Sequence, residues 1–184
     1  MRRIFIALKV EAGETLLHMI SSVKTGLIKD KIRWTSIDNI HITLVFLGDT
    51  EENVIEEIRV MLRQKCTGSG KFKLRLQGFG IFRNMNDPRI IWTGVEASDN
   101  LICLNESIHS GLKQLAIKME DRPYNPHLTL GRIKRISDIQ VLKSLVEKYR
   151  NSEIQIVSVD EVILYESILQ PSGPIYKPLE KFSL

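Results

Sequence analysis

One pattern occurs twice in this chain: His41-Ile42-Thr43-Leu44 and His127-Leu128-Thr129-Leu130. The first sits in an apolar run that ends Val45-Phe46-Leu47-Gly48, and the second in a run that ends Gly131-Arg132-Ile133. Each block is short, apolar and bounded by turn signals, which predicts a β-strand. Residues i and i+2 of a strand point to one face. His41 therefore shares a face with Thr43, and His127 with Thr129. Ile42, Leu44 and Phe46 point the other way, as do Leu128 and Leu130, which suits a hydrophobic core. A polar His/Thr pair on one side of a strand needs partners or solvent. Two such pairs facing each other across a groove put two imidazoles and two hydroxyls around one small site.

The remaining elements supply a frame for that meeting. Residues 3–9 read as a strand. Residues 11–27 read as a helix with Leu16, Leu17, Ile20, Val23 and Leu27 on one face. Lys29 to Arg33 is a basic connector. Thr50 opens a second helix, whose apolar side is Val54, Ile55, Ile58, Met61 and Leu62. From Lys71 to Phe82 a strand points Phe72, Leu74 and Leu76 inward and Lys71, Lys73 and Arg75 outward, a pattern that suits a solvated face better than an RNA track. A loop at 83–88 leads to a strand at 90–95, and Ser98 starts a helix reaching about Lys118. Residues 120–126 form a stiff extended lead-in around Pro123 and Pro126. Ser137-Asp138 caps a helix to about Tyr149. Residues 153–169 read as a strand pair or one bent strand, with Ile154 and Ile156 on one face and Val157 and Val159 on the other. A turn at 171–174 precedes the last strand, 175–182. The expected fold is α+β: one bilobal domain over 1–184, with two pseudo-symmetric lobes of mostly antiparallel sheet backed by helices around a central cleft.

Composition narrows the function classes. The chain is 43% hydrophobic and 26% charged, an ordinary globular balance far from disorder. A net charge of +4 permits an anionic partner such as RNA without demanding one. No stretch approaches the ~18 apolar residues of a membrane span, and the basic start runs into Lys9 and Glu11 too soon for a signal peptide. Cys66 and Cys103 read as free thiols in a reducing compartment, with Cys103 buried among Leu101, Ile102 and Leu104. A cytoplasmic monomer is expected.

Several motifs fail. Gly68-Ser69-Gly70-Lys71 is flanked by Lys65 and Phe72 where a phosphate loop needs Gly and Ser or Thr. Gly78-Phe79-Gly80 lacks the third glycine of a dinucleotide fingerprint. No Cys or His set has zinc spacing, and threonine is a poor zinc ligand, so neither a metal nor a cofactor is expected. His18 and His109 read as helix-face residues.

The repeated block points to acid–base chemistry. Histidine titrates near neutrality, so one imidazole can be neutral while another is protonated. Such a pair suits a general base plus a general acid. Thr43 and Thr129 can donate to an anion held between them. Arg132 could add a planar donor suited to phosphate. Regular alternation turns Arg132 away from His127, so it reaches the site only through a bulge, for which Gly131 is the expected place.

His-Ile-Thr-Leu-Val-Phe-Leu-Gly and Pro-His-Leu-Thr-Leu-Gly-Arg resemble the paired signatures of the 2H phosphoesterases. The opening Arg-Ile-Phe-Ile-Ala-Leu, Arg33-Trp34, Gly78 to Phe82, Ile91 to Val95 and Leu164-Tyr165-Glu166-Ser167 resemble one branch of them. That branch is the RNA 2′,3′-cyclic phosphodiesterases, historically called 2′-5′ RNA ligases. The resemblance covers almost the whole chain. It implies a bilobal fold, no required metal, and hydrolysis of RNA 2′,3′-cyclic phosphate ends, tRNA fragments among them, to 2′-phosphate ends. It implies His127 as base, His41 as acid, and Thr43 and Thr129 on the phosphate oxygens. The residues alone leave open which histidine is which. They also leave open 2′-5′ end joining at the same site, or a protein that only binds the RNA end.

Overall fold

The computed structural model describes residues 1–119, 123–171 and 173–184. In chain order the elements are β1 (Arg2–Lys9), α1 (Glu14–Gly26), β2 (Lys31–Trp34), β3 (His41–Thr50), α2 (Glu52–Cys66), β4 (Phe72–Asn84), β5 (Asp87–Val95), α3 (Asp99–Gln114), β6 (His127–Arg135), α4 (Ile139–Tyr149), β7 (Glu153–Val159), β8 (Glu161–Gln170) and β9 (Gly173–Ser183). The strands form one sheet in the order β7-β4-β5-β6-β3-β1-β8-β9, with β2 added to β6, and each pairing is antiparallel.

Reading inward from both edges gives two matching halves, β7-β4-β5-β6 and β9-β8-β1-β3. They join where Ile42 of β3 pairs with Leu128 of β6. The lobes expected from the sequence are thus halves of one sheet. Helices α1 and α4 back the β4–β7 half, while α2 and α3 back the half that holds β3, β8 and β9. Helix α1 follows β1 yet covers the other half, and α3 follows β5 yet packs on β3, so the connections knit the halves together.

The core lies between sheet and helices. It takes Ile4, Ile6 and Leu8 from β1, Ile42, Leu44 and Val45 from β3, and Leu128 and Leu130 from β6. A smaller cluster, Phe5, Ala7, Ile163 and Tyr165 with Tyr176 against it, lies on the opposite face. That face also carries both histidines.

Bulges reset the alternation that the sequence pattern assumes. Thr43 pairs with Ala7 but Val45 pairs with Ile6, so Leu44 is the extra residue. Thr129 pairs with Trp92 but Gly131 pairs with Ile91, so Leu130 is the extra residue on β6. The fourth residue of each repeated block is therefore a bulge. Val45 joins the core, and Phe46 turns to the opposite face, where it is 46% exposed under the Arg3 guanidinium. The expectation that Phe46 is core fails for this reason. A further bulge at Ile154 sets Ile154 with Val157 and Val159 in the core and leaves Ile156 exposed; Val157 and Val159 share a face as expected, whereas Ile154 and Ile156 do not.

Each repeated-block bulge has a partner for its carbonyl. The buried Asn105 of α3 donates through Nδ2 to the Leu44 carbonyl at 3.1 Å. The Thr35 backbone N–H donates to the Leu130 carbonyl at 2.9 Å. A buried carbonyl without a partner is expensive, so these donors hold the bulges in place.

Other expectations shift in detail. The basic connector is strand β2. The loop at 83–88 is a tight turn, in which Asn84 Oδ1 accepts from the N–H groups of Asn86 and Asp87. Helix α3 stops at Gln114, where Ala116 takes a positive φ of 55°. In α1, Met19 is buried in place of Leu17. Cys103 is exposed, whereas Cys66 is buried, with its thiol pKa pushed up to about 11 by desolvation. Arg75 is engaged by Glu96 and Glu153, and Lys71 by Asp160, in keeping with a solvated face. The expected lead-in and last turn fall partly on Glu120, Asp121, Arg122 and Ser172, outside the described residues. Among the described residues no helix is long and apolar enough to cross a membrane.

Asn105→Leu keeps the volume but removes the Asn105 donor to Leu44, leaving the His109 ring as its other hydrogen-bond partner. The variant should lose about 1–3 kcal/mol of stability in urea denaturation; an unchanged midpoint would show that the carbonyl finds another partner.

Candidate active site

The Ile42–Leu128 pair fixes how the two blocks meet. Continuing that antiparallel register by one residue each way sets His41 beside Thr129 and Thr43 beside His127. The histidines are then diagonal neighbours, positions that stand roughly 7–8 Å apart with their Cβ atoms somewhat closer. A tetrahedral anion fits between two imidazoles at that separation. All four side chains are half-buried on the open face of the sheet.

The local chain aims both rings alike. Nδ1–H of His41 donates to the Asn39 carbonyl at 2.7 Å, and Nδ1–H of His127 donates to the Asn125 carbonyl at 2.8 Å. A carbonyl only accepts, so the proton sits on Nδ1 and each Nε2 is left to the groove. Asn39 ends a 3₁₀ turn, Ile37–Asn39, and its side chain donates to the Pro174 carbonyl at 2.9 Å. This ties the β8–β9 hairpin to the approach to His41.

The ring walls differ. His41 lies 5.0 Å from Phe5, 5.0 Å edge-on from Tyr176, and 6.4 Å from Tyr165. His127 meets Phe82 edge-on at 4.7 Å. In register, Ala7 faces Thr43 while Trp92 faces Thr129. The Trp92 ring lies across Gly80, where a Cβ would come within 2.5 Å of it, so only glycine allows this packing. Sequence alternation from Ile4 and Ile6 could have placed Phe5 on the open face. Tyr176 and Phe82 gave no such signal, because they reach the site from other strands.

Both imidazoles have pKa values lowered from the ordinary range. For His41, burial is the main cause, and a proton on His127 would lower it further; the Asn39 carbonyl opposes both. For His127, burial again leads, the Asn125 carbonyl opposes it, and the Arg132 guanidinium adds to the lowering.

The Leu130 bulge brings Arg132 to this face. With Gly131 turned to the core beside Ile91, Arg132 shares a face with His127, Thr129 and the exposed Arg33 directly across on β2. The bulge sits one residue before the glycine expected to make it. All five candidate residues, His41, Thr43, His127, Thr129 and Arg132, therefore lie on one face. His18 is exposed on α1, and the His109 ring on α3 is hydrogen-bonded to the Leu44 backbone from the helix side. No cluster of three or more His, Cys, Asp or Glu side chains with metal-binding geometry occurs among the described residues.

A model of the 2′-5′ RNA ligase superfamily matches residues 38–168. The chain belongs to that family. It is 36% identical over 179 residues to the RNA 2′,3′-cyclic phosphodiesterase of Thermotoga maritima, covering 96% of this chain and 92% of that one. It is 32% identical to the protein of the same name from Methanothermobacter thermautotrophicus, over 99% and 98% of the two chains. Among solved structures it is similar to TT0787 of Thermus thermophilus, with TM-score 0.80, 27% identity, and 99% and 97% of the chains covered. The fold also matches E. coli LigT complexed with 3′-AMP, with TM-score 0.74 and 22% identity over 100% and 98% of the chains. The 2H phosphoesterase fold expected from the paired motifs is the fold observed.

A histidine whose folded pKa is depressed adds stability above its unfolded pKa, and that stability is lost as pH falls toward the folded value. Stability should therefore decline below about pH 6.5. Nitrogen-15 NMR should find both rings protonated on Nδ1 and titrating below that value. A ring protonated on Nε2 when neutral would contradict the geometry.

Proposed function

We propose that this chain hydrolyses RNA 2′,3′-cyclic phosphate ends to 2′-phosphate ends, with two histidines as base and acid and no metal required. The observation that carries this reading is that both imidazoles bind a backbone carbonyl through Nδ1 and so keep Nε2 free, on two repeated blocks that the Ile42–Leu128 pair sets side by side. The names of the relatives support the substrate.

The chemistry follows from the layout. His127 Nε2 takes a proton from water as the water oxygen bonds to phosphorus. The bond from phosphorus to the ribose 3′-oxygen breaks, and His41 Nε2–H gives that oxygen its proton. The Thr43 and Thr129 hydroxyls hold the non-bridging oxygens as charge builds on them. Arg132 favours neutral His127, which supports its role as base. It also offers a fork to the phosphate. A bound phosphate anion raises both imidazole pKa values, while a proton on one ring disfavours a second. The occupied site then holds a single proton, placed on the acid.

Each histidine should be worth about 10²–10⁴-fold in rate. An RNA oligonucleotide ending in a cyclic phosphate, incubated with the protein in EDTA, should yield a 2′-phosphate end. His41→Ala and His127→Ala should each form that product about 10²–10⁴-fold more slowly while remaining folded. Activity that returns only on adding a divalent metal would refute the metal-free part. A new 2′-5′ bond to a 5′-hydroxyl end would mean joining rather than hydrolysis. Because the free imidazoles titrate low, kcat/KM should peak below about pH 6.5, and kcat at a higher pH once phosphate is bound.

A further inference from the structure

A cation borders the histidine groove on each side. Arg132 of β6 is one, and Arg3 of β1 is the other. Arg3 precedes Phe5 by two residues on its strand, so it stands on the open face. Its neighbour Arg2 turns to the helix side, where it pairs with Glu52 of α2 and with Glu166 of β8. Asp49 stands opposite Arg3 on β3, yet the Arg3 guanidinium lies over the Phe46 ring, 4.9 Å from its centre. Among the described residues no carboxylate forms an ion pair with Arg3.

The repeat explains this placement. Phe46 follows Thr43 by three residues and Arg132 follows Thr129 by three, each just past its bulge. Where the β6 half presents a guanidinium directly, the β3 half presents a ring that carries one. The Tyr176 phenol stands in the field of both cations: burial raises its pKa, and Arg132 and Arg3 each act against that rise. The Tyr176 ring is edge-on to His41 at 5.0 Å and to Phe5 at 4.9 Å. Arg3 thus borders the same groove as Arg132, from the His41 side.

Distance separates the duties of the two arginines. Thr43 pairs with Ala7 and Phe46 with Phe5, and two residues along a strand span about 6.6 Å. A guanidinium held over Phe46 is therefore one pleat out from the threonine that holds the reacting phosphate. The two phosphates of one ribose, on its 2′,3′ edge and on its 5′ carbon, are separated by a similar span. The reaction supplies the polarity. Water and the departing 3′-oxygen lie on opposite sides of phosphorus. With His127 on the water and His41 on the 3′-oxygen, the ribose lies toward the His41 half. There Phe5, Tyr165 and Tyr176 form an aromatic wall, and an aromatic surface beside a cation suits a nucleotide.

We propose that the terminal nucleoside lies over the His41 half of the open face and that Arg3, resting on Phe46, binds the phosphate on its 5′ side. The assignment rests on the hydrolytic reading above for which histidine faces the ribose. It makes the protein prefer a cyclic end that carries a 5′-phosphate, as every nucleotide within a strand does.

The test compares matched ligands with and without that phosphate. In the parent, kcat/KM for adenosine 5′-phosphate 2′,3′-cyclic phosphate should exceed that for adenosine 2′,3′-cyclic phosphate at least about tenfold. Arg3→Gln should bring the ratio to about one, and Phe46→Leu should lower it about two- to fivefold. Both substrates meet the same protein sample, so a partly folded variant does not distort the ratio. Arg33→Gln, on the other side of the groove, should leave the preference standing. No preference in the parent, or one that survives Arg3→Gln, would overturn the proposal. So would a preference lost with Arg33→Gln, which would put the nucleoside over Phe82 and Trp92. By calorimetry, adenosine 2′,5′-bisphosphate should bind the parent at least about tenfold more tightly than adenosine 2′-monophosphate, and Arg3→Gln should remove the difference. If neither cyclic substrate is cleaved, the hydrolytic reading fails, and this binding ratio still decides the role of Arg3.

Discussion

The Leu44 carbonyl takes its hydrogen bond from the Asn105 side chain, and the Leu130 carbonyl takes one from the Thr35 backbone N–H. The site depends on these two bonds. They hold one extra residue in each central strand straight after the threonine of the repeated block. Without the bulges, the period of two would send Val45 and Gly131 to the open face and turn Phe46 and Arg132 into the core. With them, the core continues unbroken beneath, and the open face gains an arginine beside His127. A bulge bends and twists its strand, so the same two residues also bend the sheet where the halves meet.

The frame is symmetric and the site is not. The two blocks share a bulge, a carbonyl two residues before each histidine, and a helix-covered back. What differs is what the neighbouring strands present. Ala7 stands opposite Thr43 where Trp92 stands opposite Thr129, and Phe46 occupies the place that Arg132 holds in the other half. One ring is walled by Phe5, Tyr165 and Tyr176, and the other by Phe82 with a cation near it. The two imidazoles thus have different surroundings, and the difference comes from side chains set into a repeated backbone.

Much of this was legible in the residues. The repeated block marked both central strands, the face of each histidine and threonine, and the α+β class. The strands near 3–9, 71–82 and 90–95 and the four helices follow from periodicity. What alternation could not reveal were the extra residues, because a bulge is set by the carbonyl partner it finds, and that partner is far away in sequence. Asn105 is 61 positions from Leu44. Hence alternation puts Phe46 in the core and Ile154 on the exposed face of Ile156, both of which the bulges overturn, and it brings Arg132 to the site only through a bulge. Strand β2 read as a connector because its pairing partner, β6, is remote. Cys103 read as buried from its apolar neighbours, yet the turn of α3 leaves it outside.

The central claim is that two histidines divide acid and base duties in one groove. The most direct measurement is the pH dependence of kcat/KM on a 2′,3′-cyclic nucleotide for the parent and for His41→Ala and His127→Ala. The parent should give a bell. Residual activity of His127→Ala should lose the acidic limb, and that of His41→Ala the alkaline limb. A bell with both limbs intact in either variant would contradict the assignment of that histidine to the chemistry.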